Sequence, residues 1–558
     1  MPSSSHLGGI INIDNKRNGI DCFYVLYYNI MKVINTLLLF FGVYRMNLLD
    51  YVTNKTNKYI DNMPKSLRKQ YGQFFTSKET ASYMAGLFVL PSDKDSLKIL
   101  DAGAGSGVLS IALIERLQEH SQINHIYLVC YENDLNIIEL LEDNLQWVSE
   151  HLETDFDYEI RTENYITSQI FEYNNWIGAN PTPEKFDLII GNPPYMKIGK
   201  DAPEAKAMPD VCYGAPNLYF LFAAMGVFNL QPNAEMVYII PRSWTSGAYF
   251  KRFREKLFSE CVLEHIHLFE SRDKVFDKES VLQETIIIKV KKTNQKPDRI
   301  CITSTQSNHD FNSINTFYAP YDAIVSGGEY YVYLATNIDD IEVLELLNHW
   351  TYTLPKLGLP MKTGLTVDFK NRETLRSNAE EKAVPLFYSQ HIKDGKVIFP
   401  IGRENEYIVT EKKGLLQDNA NYLFVKRFTA KEERRRLQCG VYLSRIYPEY
   451  QRISTQNKIN FIGGLRNLSE CVVYGLYVLF NSTIYDKYYR ILNGSTQVNS
   501  TEINSIPVPS IEKIEAMGKR IIAERDTSVE SCDRILRSYL SEKDRRSKNN
   551  FERIASAG

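Results

Sequence analysis

The 558-residue chain has no C-x-x-C pair, and its eight cysteines lie far apart. Such spacing supports neither a zinc site nor a disulfide framework and fits a reducing cytosol. A long apolar run is also missing. "VINTLLLFFGVY" (33–44) holds only twelve residues, too few to cross a bilayer as a helix, so no membrane span is expected. Mixed charges precede that run and no small-residue cleavage site follows it. Residues 1–45 therefore read as a poorly ordered extension, with Met46 as the natural start. Excess charge of one sign is absent: 65 Lys and Arg face 68 Asp and Glu, a net −3, so any nucleic-acid surface must be a local cluster. No internal repeat or long low-complexity tract occurs.

What is present is ordinary for a soluble globular protein, with 44% hydrophobic and 24% charged residues. The length implies two domains and a small third piece. From about residue 98, short apolar runs alternate with helical patterns. "LKILDAGAG", "HIYLVCYEND", "DYEIRTENYI", "KFDLIIGNPPY" and "EMVYIIPRSW" read as strands. "VLSIALIERLQEH", "NIIELLEDNLQWVSEHL", "NLYFLFAAMGVFNL" and "FKRFREKLFSE" read as helices, and "CVLEHIHLFES" and "QETIIIKVKK" close the region. This predicts an α/β domain over 46–300, a mostly parallel sheet with helices on both faces. Ligands of such sheets sit beyond the carboxyl ends of the strands. After about 300 the pattern becomes irregular, with a mixed α+β part over 301–510. A helical segment and charged tail fill 511–558.

Two loops at that sheet edge carry chemistry. "DAGAGSG" (101–107) follows a strand and opens a helix; its glycines admit a ligand close to the backbone. Glu132 ends the next strand, 25 residues after Gly107, where an acid can accept bonds from ribose hydroxyls. The second loop, Asn192-Pro193-Pro194-Tyr195, leaves the sheet because proline cannot continue a ladder. An asparagine oxygen beside a proline carbonyl offers two convergent acceptors, suited to an exocyclic amine. Tyr195 can lie against the ring bearing it. Such a turn acts by positioning and electrostatics, without a nucleophilic side chain.

This set resembles the gamma class of S-adenosylmethionine-dependent DNA adenine-N6 methyltransferases. "YGQFFTSKETASYMA" (71–85) looks like their tail motif, with Tyr71 and Thr76 toward the cofactor. The resemblance implies a Rossmann-like methyltransferase sheet. Asp101, Gly103, Gly105 and Glu132 would join those two as cofactor contacts. Asn192 to Tyr195 matches the family's N-P-P-Y, and Phe276 in "KVFDKESVLQETIIIK" the aromatic gripping a flipped base from its other face. Asn164 stands where the family usually has an aspartate against the cofactor's adenine. Altered affinity is the expected consequence. A flipped base costs a few kcal/mol to extrude, and aromatic stacking returns about 1–3 kcal/mol.

Within that resemblance the C-terminal part would read double-stranded DNA. Residues 421–454 carry eight basic and three acidic side chains, among them Lys426, Arg427, Arg434, Arg435 and Arg436. The 475–510 segment resembles a target-recognition region, with Asn493, Thr496 and Gln497 as base or phosphate readers. The implied protein is a monomeric restriction–modification methylase beside a separate cognate endonuclease, using no metal. Alternatives are a methylation subunit of a multi-subunit enzyme, an RNA-adenine or protein-glutamine methyltransferase with the same turn, or a non-catalytic DNA-binding protein.

Overall fold

A computed structural model of the chain describes residues 47–62, 64, 75–119, 122–176, 183–214, 216–269, 284–308, 310–430, 433–464, 467–493 and 497–540. The extension 1–45 and the charged tail from 541 lie outside these residues.

Leu48–Asn62 (α1) and Lys78–Gly86 (α2) lead into the sheet, α2 being started by Ser77, whose side chain accepts from Thr80 N. There follow Ser96–Ala102 (β1), Val108–Gln118 (α3), His125–Tyr131 (β2), Leu135–His151 (α4), Asp155–Arg161 (β3) and Phe186–Gly191 (β4). Then come Pro203–Ala207 (α5), Leu218–Asn229 (α6), Leu230–Pro241 (β5), Lys251–Glu260 (α7), Val262–Phe269 (β6) and Thr285–Lys291 (β7). Arg299–Thr305 (β8) and Asn315–Pro320 (β9) complete a nine-stranded sheet of order β3-β2-β1-β4-β5-β7-β6-β8-β9. Neighbours from β3 through β5 are parallel, while β7 runs antiparallel between β5 and β6. Crossover helices cover both faces, as continuous apolar strands such as β4, buried along its whole length, require.

The sheet outruns the expected boundary at 300. β8 pairs with β6 and β9 with β8, so the α/β unit extends to Pro320. The reason is non-local: these two strands are recognisable only through partners already in the sheet. Beyond it, short strands between Met361 and Ile462 form a six-stranded and a five-stranded sheet around their own aromatic core, with Phe387, Phe424 and Tyr442 at its centre.

The C-terminal helices do not form a separate piece. Glu470–Phe480 (α8), Thr483–Leu492 (α9), Ser500–Ser505 (α10), Ile511–Glu524 (α11) and Val529–Arg537 (α12) contribute buried residues to the same core cluster as the large sheet. Among the described residues no helix is long and apolar enough to cross a membrane.

Candidate active site

β4 delivers its last residue, Gly191, under the ring of Tyr238 from β5; a Cβ there would sit 2.7 Å from Tyr238 Cε1. The chain then turns out of the sheet through Asn192 to Tyr195. The Asn192 amide is held at both ends: Nδ2 donates to Thr76 Oγ1 at 3.1 Å, and Oδ1 accepts from the Tyr195 hydroxyl at 2.7 Å. Tyr195 also reaches the Ile239 carbonyl of β5 at 3.0 Å, and only 8% of the residue remains exposed. Burial raises its phenol well above the ordinary value, so it stays a donor. The turn is braced by a bridge between Lys197 and Asn217 and by Leu218 N donating to Met196 O.

Beside the turn lies a cavity of about 370 Å³, walled by Gly103, Gly105, Glu132, Asn164, Asn192 and Pro194, among others. That volume is in the range of small-molecule and cofactor sites. Gly105, at φ +57°, meets no protein atom within 4 Å of a built Cβ, which leaves its cavity side open to a ligand. Gly107 opens α3 at φ +83°, and a Cβ there would lie 2.9 Å from Leu141 Cδ1 of α4. The lead-in helix braces this loop through Thr56, which donates to Ser106 Oγ at 2.9 Å. Glu132 accepts Gly105 N on one oxygen and Asp134 N on the other, both at 2.9 Å. Burial raises its pKa against the opposing pull of those N–H groups.

Asn164 lines the same cavity, but its amide is committed. Its Oδ1 accepts Ile166 N and Thr167 N, each at 3.0 Å, and its Nδ2 donates to Glu204 Oε1 at 2.9 Å. Asp101 needs correcting as a cofactor contact. It is fully buried, takes the Ser110 hydroxyl of α3 at 2.6 Å, and is pushed up to about 7 by desolvation. It props the helix behind the glycine loop and forms no part of the cavity wall. Tyr71, Phe276 and Thr496 lie outside the described residues.

The proposed DNA readers divide. Arg427 and Gln497 meet, Nη2 to Oε1 at 3.3 Å, and share a cleft of about 510 Å³ with Tyr213, Ser243 and Tyr249 of the α/β unit. Lys426 donates to Gln438 Oε1 at 2.9 Å, and Arg434 is exposed. Arg435 instead caps the end of α8, donating to Phe480 O and Ser482 O. Arg436 and Asn493, expected at the DNA surface, are 1% and 2% exposed and bond each other at 2.9 Å. They serve the interior, because a buried carboxylate, Glu502, gathers Asn493, Tyr489 and Ser246 around it.

Sequence reasoning missed Glu204, Tyr213 and Tyr249; no motif or spacing marks them, since each becomes informative only beside a distant segment. Among the described residues no three His, Cys, Asp or Glu side chains converge as metal ligands.

A family model described as Eco57I restriction-modification methylase matches residues 110–276. Over 496 residues the chain is 32% identical to type II methyltransferase M.PstI of Providencia stuartii, spanning 85% of this chain and 93% of that protein. Over 475 residues it is 34% identical to type II methyltransferase M.BsuBI of Bacillus subtilis, spanning 82% and 91%. A 143-residue stretch, 25% of this chain and 51% of that protein, is 28% identical to the tRNA1(Val) (adenine(37)-N6)-methyltransferase of Histophilus somni (strain 2336).

Proposed function

Since the chain belongs to the type II DNA methyltransferases of restriction–modification systems, we propose that its methyl acceptor is the N6 amine of an adenine swung out of double-stranded DNA. The observation carrying this reading is the Asn192 amide in the cavity wall, its orientation fixed by Nδ2 donating to Thr76 and Oδ1 accepting from Tyr195. The adenine-N6 activity named for the shorter tRNA-methylating relative supports the same chemistry.

The methyl donor is S-adenosylmethionine, which supplies an electrophilic methyl on a sulfonium. The cavity suits it in volume and in donor set: an open glycine loop, the carboxylate of Glu132 for ribose hydroxyls, and a wall shared with the catalytic turn. Asn192 Oδ1 and the Pro193 carbonyl accept the two N–H groups of the amine and aim its nitrogen at the cavity. Tyr195 and Phe276 hold the ring. With the donor bound, the nitrogen would take the methyl as its bond to sulfur breaks, leaving the neutral thioether S-adenosylhomocysteine, and would shed its surplus proton to water. No nucleophile or strongly shifted base is needed, only positioning and charge stabilisation. The part after Pro320, with Arg427 and Gln497 in the cleft, reads the target. The protein acts as a cytoplasmic monomer, protecting DNA from a separate endonuclease.

Modification-sensitive long-read sequencing of DNA from cells expressing this chain alone tests the reading. N6-methyladenine confined to one short motif is expected. Methyl groups on cytosine instead, or an unmodified genome beside methylated RNA or protein, would overturn it.

A further inference from the structure

We infer that Glu204, held by Asn164, is the residue that recognises the amino group of the cofactor's adenine. The inference rests on S-adenosylmethionine as the cofactor and names the part of its cavity that takes the base.

Sheet order locates that part. Strands β4, β1, β2 and β3 are consecutive neighbours, so their carboxyl ends form a row. Asn192 follows β4, the glycine loop follows β1, Glu132 follows β2 and Asn164 lies beyond β3. An extended ligand with its methyl at the β4 end and its ribose at the β2 end must carry its base onward to the β3 end. The residues that meet it there include Asn164 and Glu204, both in the cavity wall. Ile137 and Phe222 of the same wall offer apolar surface to a flat ring.

An exocyclic amine is a donor and needs an acceptor. Asn164 cannot serve. Both lone-pair positions of its Oδ1 are taken by the amides of Ile166 and Thr167, and its other end is an NH2 group. One N–H of that group fixes Glu204 Oε1 at 2.9 Å. A carboxylate accepts through two oxygens, so Glu204 keeps Oε2 for the amine. The half-buried Glu204 comes from α5, in the segment that follows the catalytic turn, and is therefore 40 residues from Asn164 in sequence. Asn164 acts as a positioning residue: by donating rather than accepting, it orients the acid and avoids a second negative charge beside it.

The test is calorimetric binding to the full-length enzyme of S-adenosylhomocysteine and of its inosine counterpart, which carries an oxygen in place of the amine. The unaltered protein is expected to favour the adenine form at least tenfold, about 1.4 kcal/mol. In Glu204→Gln, Asn164 claims the amide oxygen and leaves an NH2 group facing the ligand, so the preference should vanish or reverse toward inosine. Asn164→Asp puts two carboxylates together and should weaken binding of both forms. The double variant Asn164→Asp, Glu204→Gln restores an acceptor and should recover the adenine preference, which a merely destabilised fold would not do. An undiminished adenine preference in Glu204→Gln, or no recovery in the double variant, overturns the assignment. If the unaltered protein binds neither compound, the cofactor itself is wrong and the inference falls with it. DNA is absent throughout, so a wrong methyl acceptor would leave this result standing.

Discussion

Asn192 sits where two demands on one amide meet: a donor end tied to Thr76 and an acceptor end turned toward Tyr195. Replacing Asn192 with alanine removes the acceptor while leaving the glycine loop and Glu132 in place. Methyl transfer in single-turnover assays should fall by about 10²–10³-fold, the cost of losing one well-placed transition-state hydrogen bond. Binding of S-adenosylhomocysteine should stay near that of the unaltered protein. A variant with normal transfer would show that the turn has another role. This asparagine was legible in the sequence because N-P-P-Y is contiguous and its stiffness is local. Its partner Thr76 lies 116 residues away, and the bond between them was not legible. Arg436 shows the reverse error. Three consecutive arginines read as one basic patch, yet neighbouring side chains leave the backbone in different directions, and burial separates Arg436 from exposed Arg434.

Helices α8 and α11 touch backbone to backbone at a pair of glycines. A Cβ on Gly475 would fall 1.8 Å from Ile514 O, and one on Gly518 would fall 1.7 Å from Cys471 O. Neither neighbour is a side chain able to swing away. Gly518→Ala should therefore force the helices apart and cost about 1–3 kcal/mol or more, read as a lower urea midpoint with an unchanged slope. An unaltered midpoint would mean that the two helices slide apart without penalty. The strand–helix alternation up to β7 was legible because hydrophobic period is a local property. The closeness of α8 and α11 was not, since a glycine in a helical pattern does not name the helix it faces.

Across the whole molecule, the cleft joins surfaces that lie far apart in the chain. Tyr213 and Tyr249, 58% and 64% exposed, come from the segments flanking α6 and β5, while Arg427, Thr363 and Gln497 come from beyond the sheet. Two large exposed rings and a guanidinium lining one cleft offer stacking surface and positive charge, which bases and phosphates would take. Tyr249→Ala should weaken binding to the target duplex about tenfold, one stacking contact's worth. Arg427→Ala should weaken it and flatten its dependence on salt by about one counterion. Cofactor binding is expected to persist in both. An unchanged salt slope in Arg427→Ala would move the DNA surface elsewhere.

By itself the sequence determined the class of fold, the glycine loop after β1, the acid that ends β2 and the Asn-Pro-Pro-Tyr turn after β4. These are set by short-range periodicity and by proline and glycine stereochemistry, which act within a few residues. The tertiary structure alone decided where the sheet ends, that Asp101, Arg436 and Asn493 face inward, and that Glu204 stands against Asn164. Each of these depends on which distant segment occupies the next few ångströms. Long-range packing resolves that choice by burying apolar surface and by satisfying the polar groups buried with it.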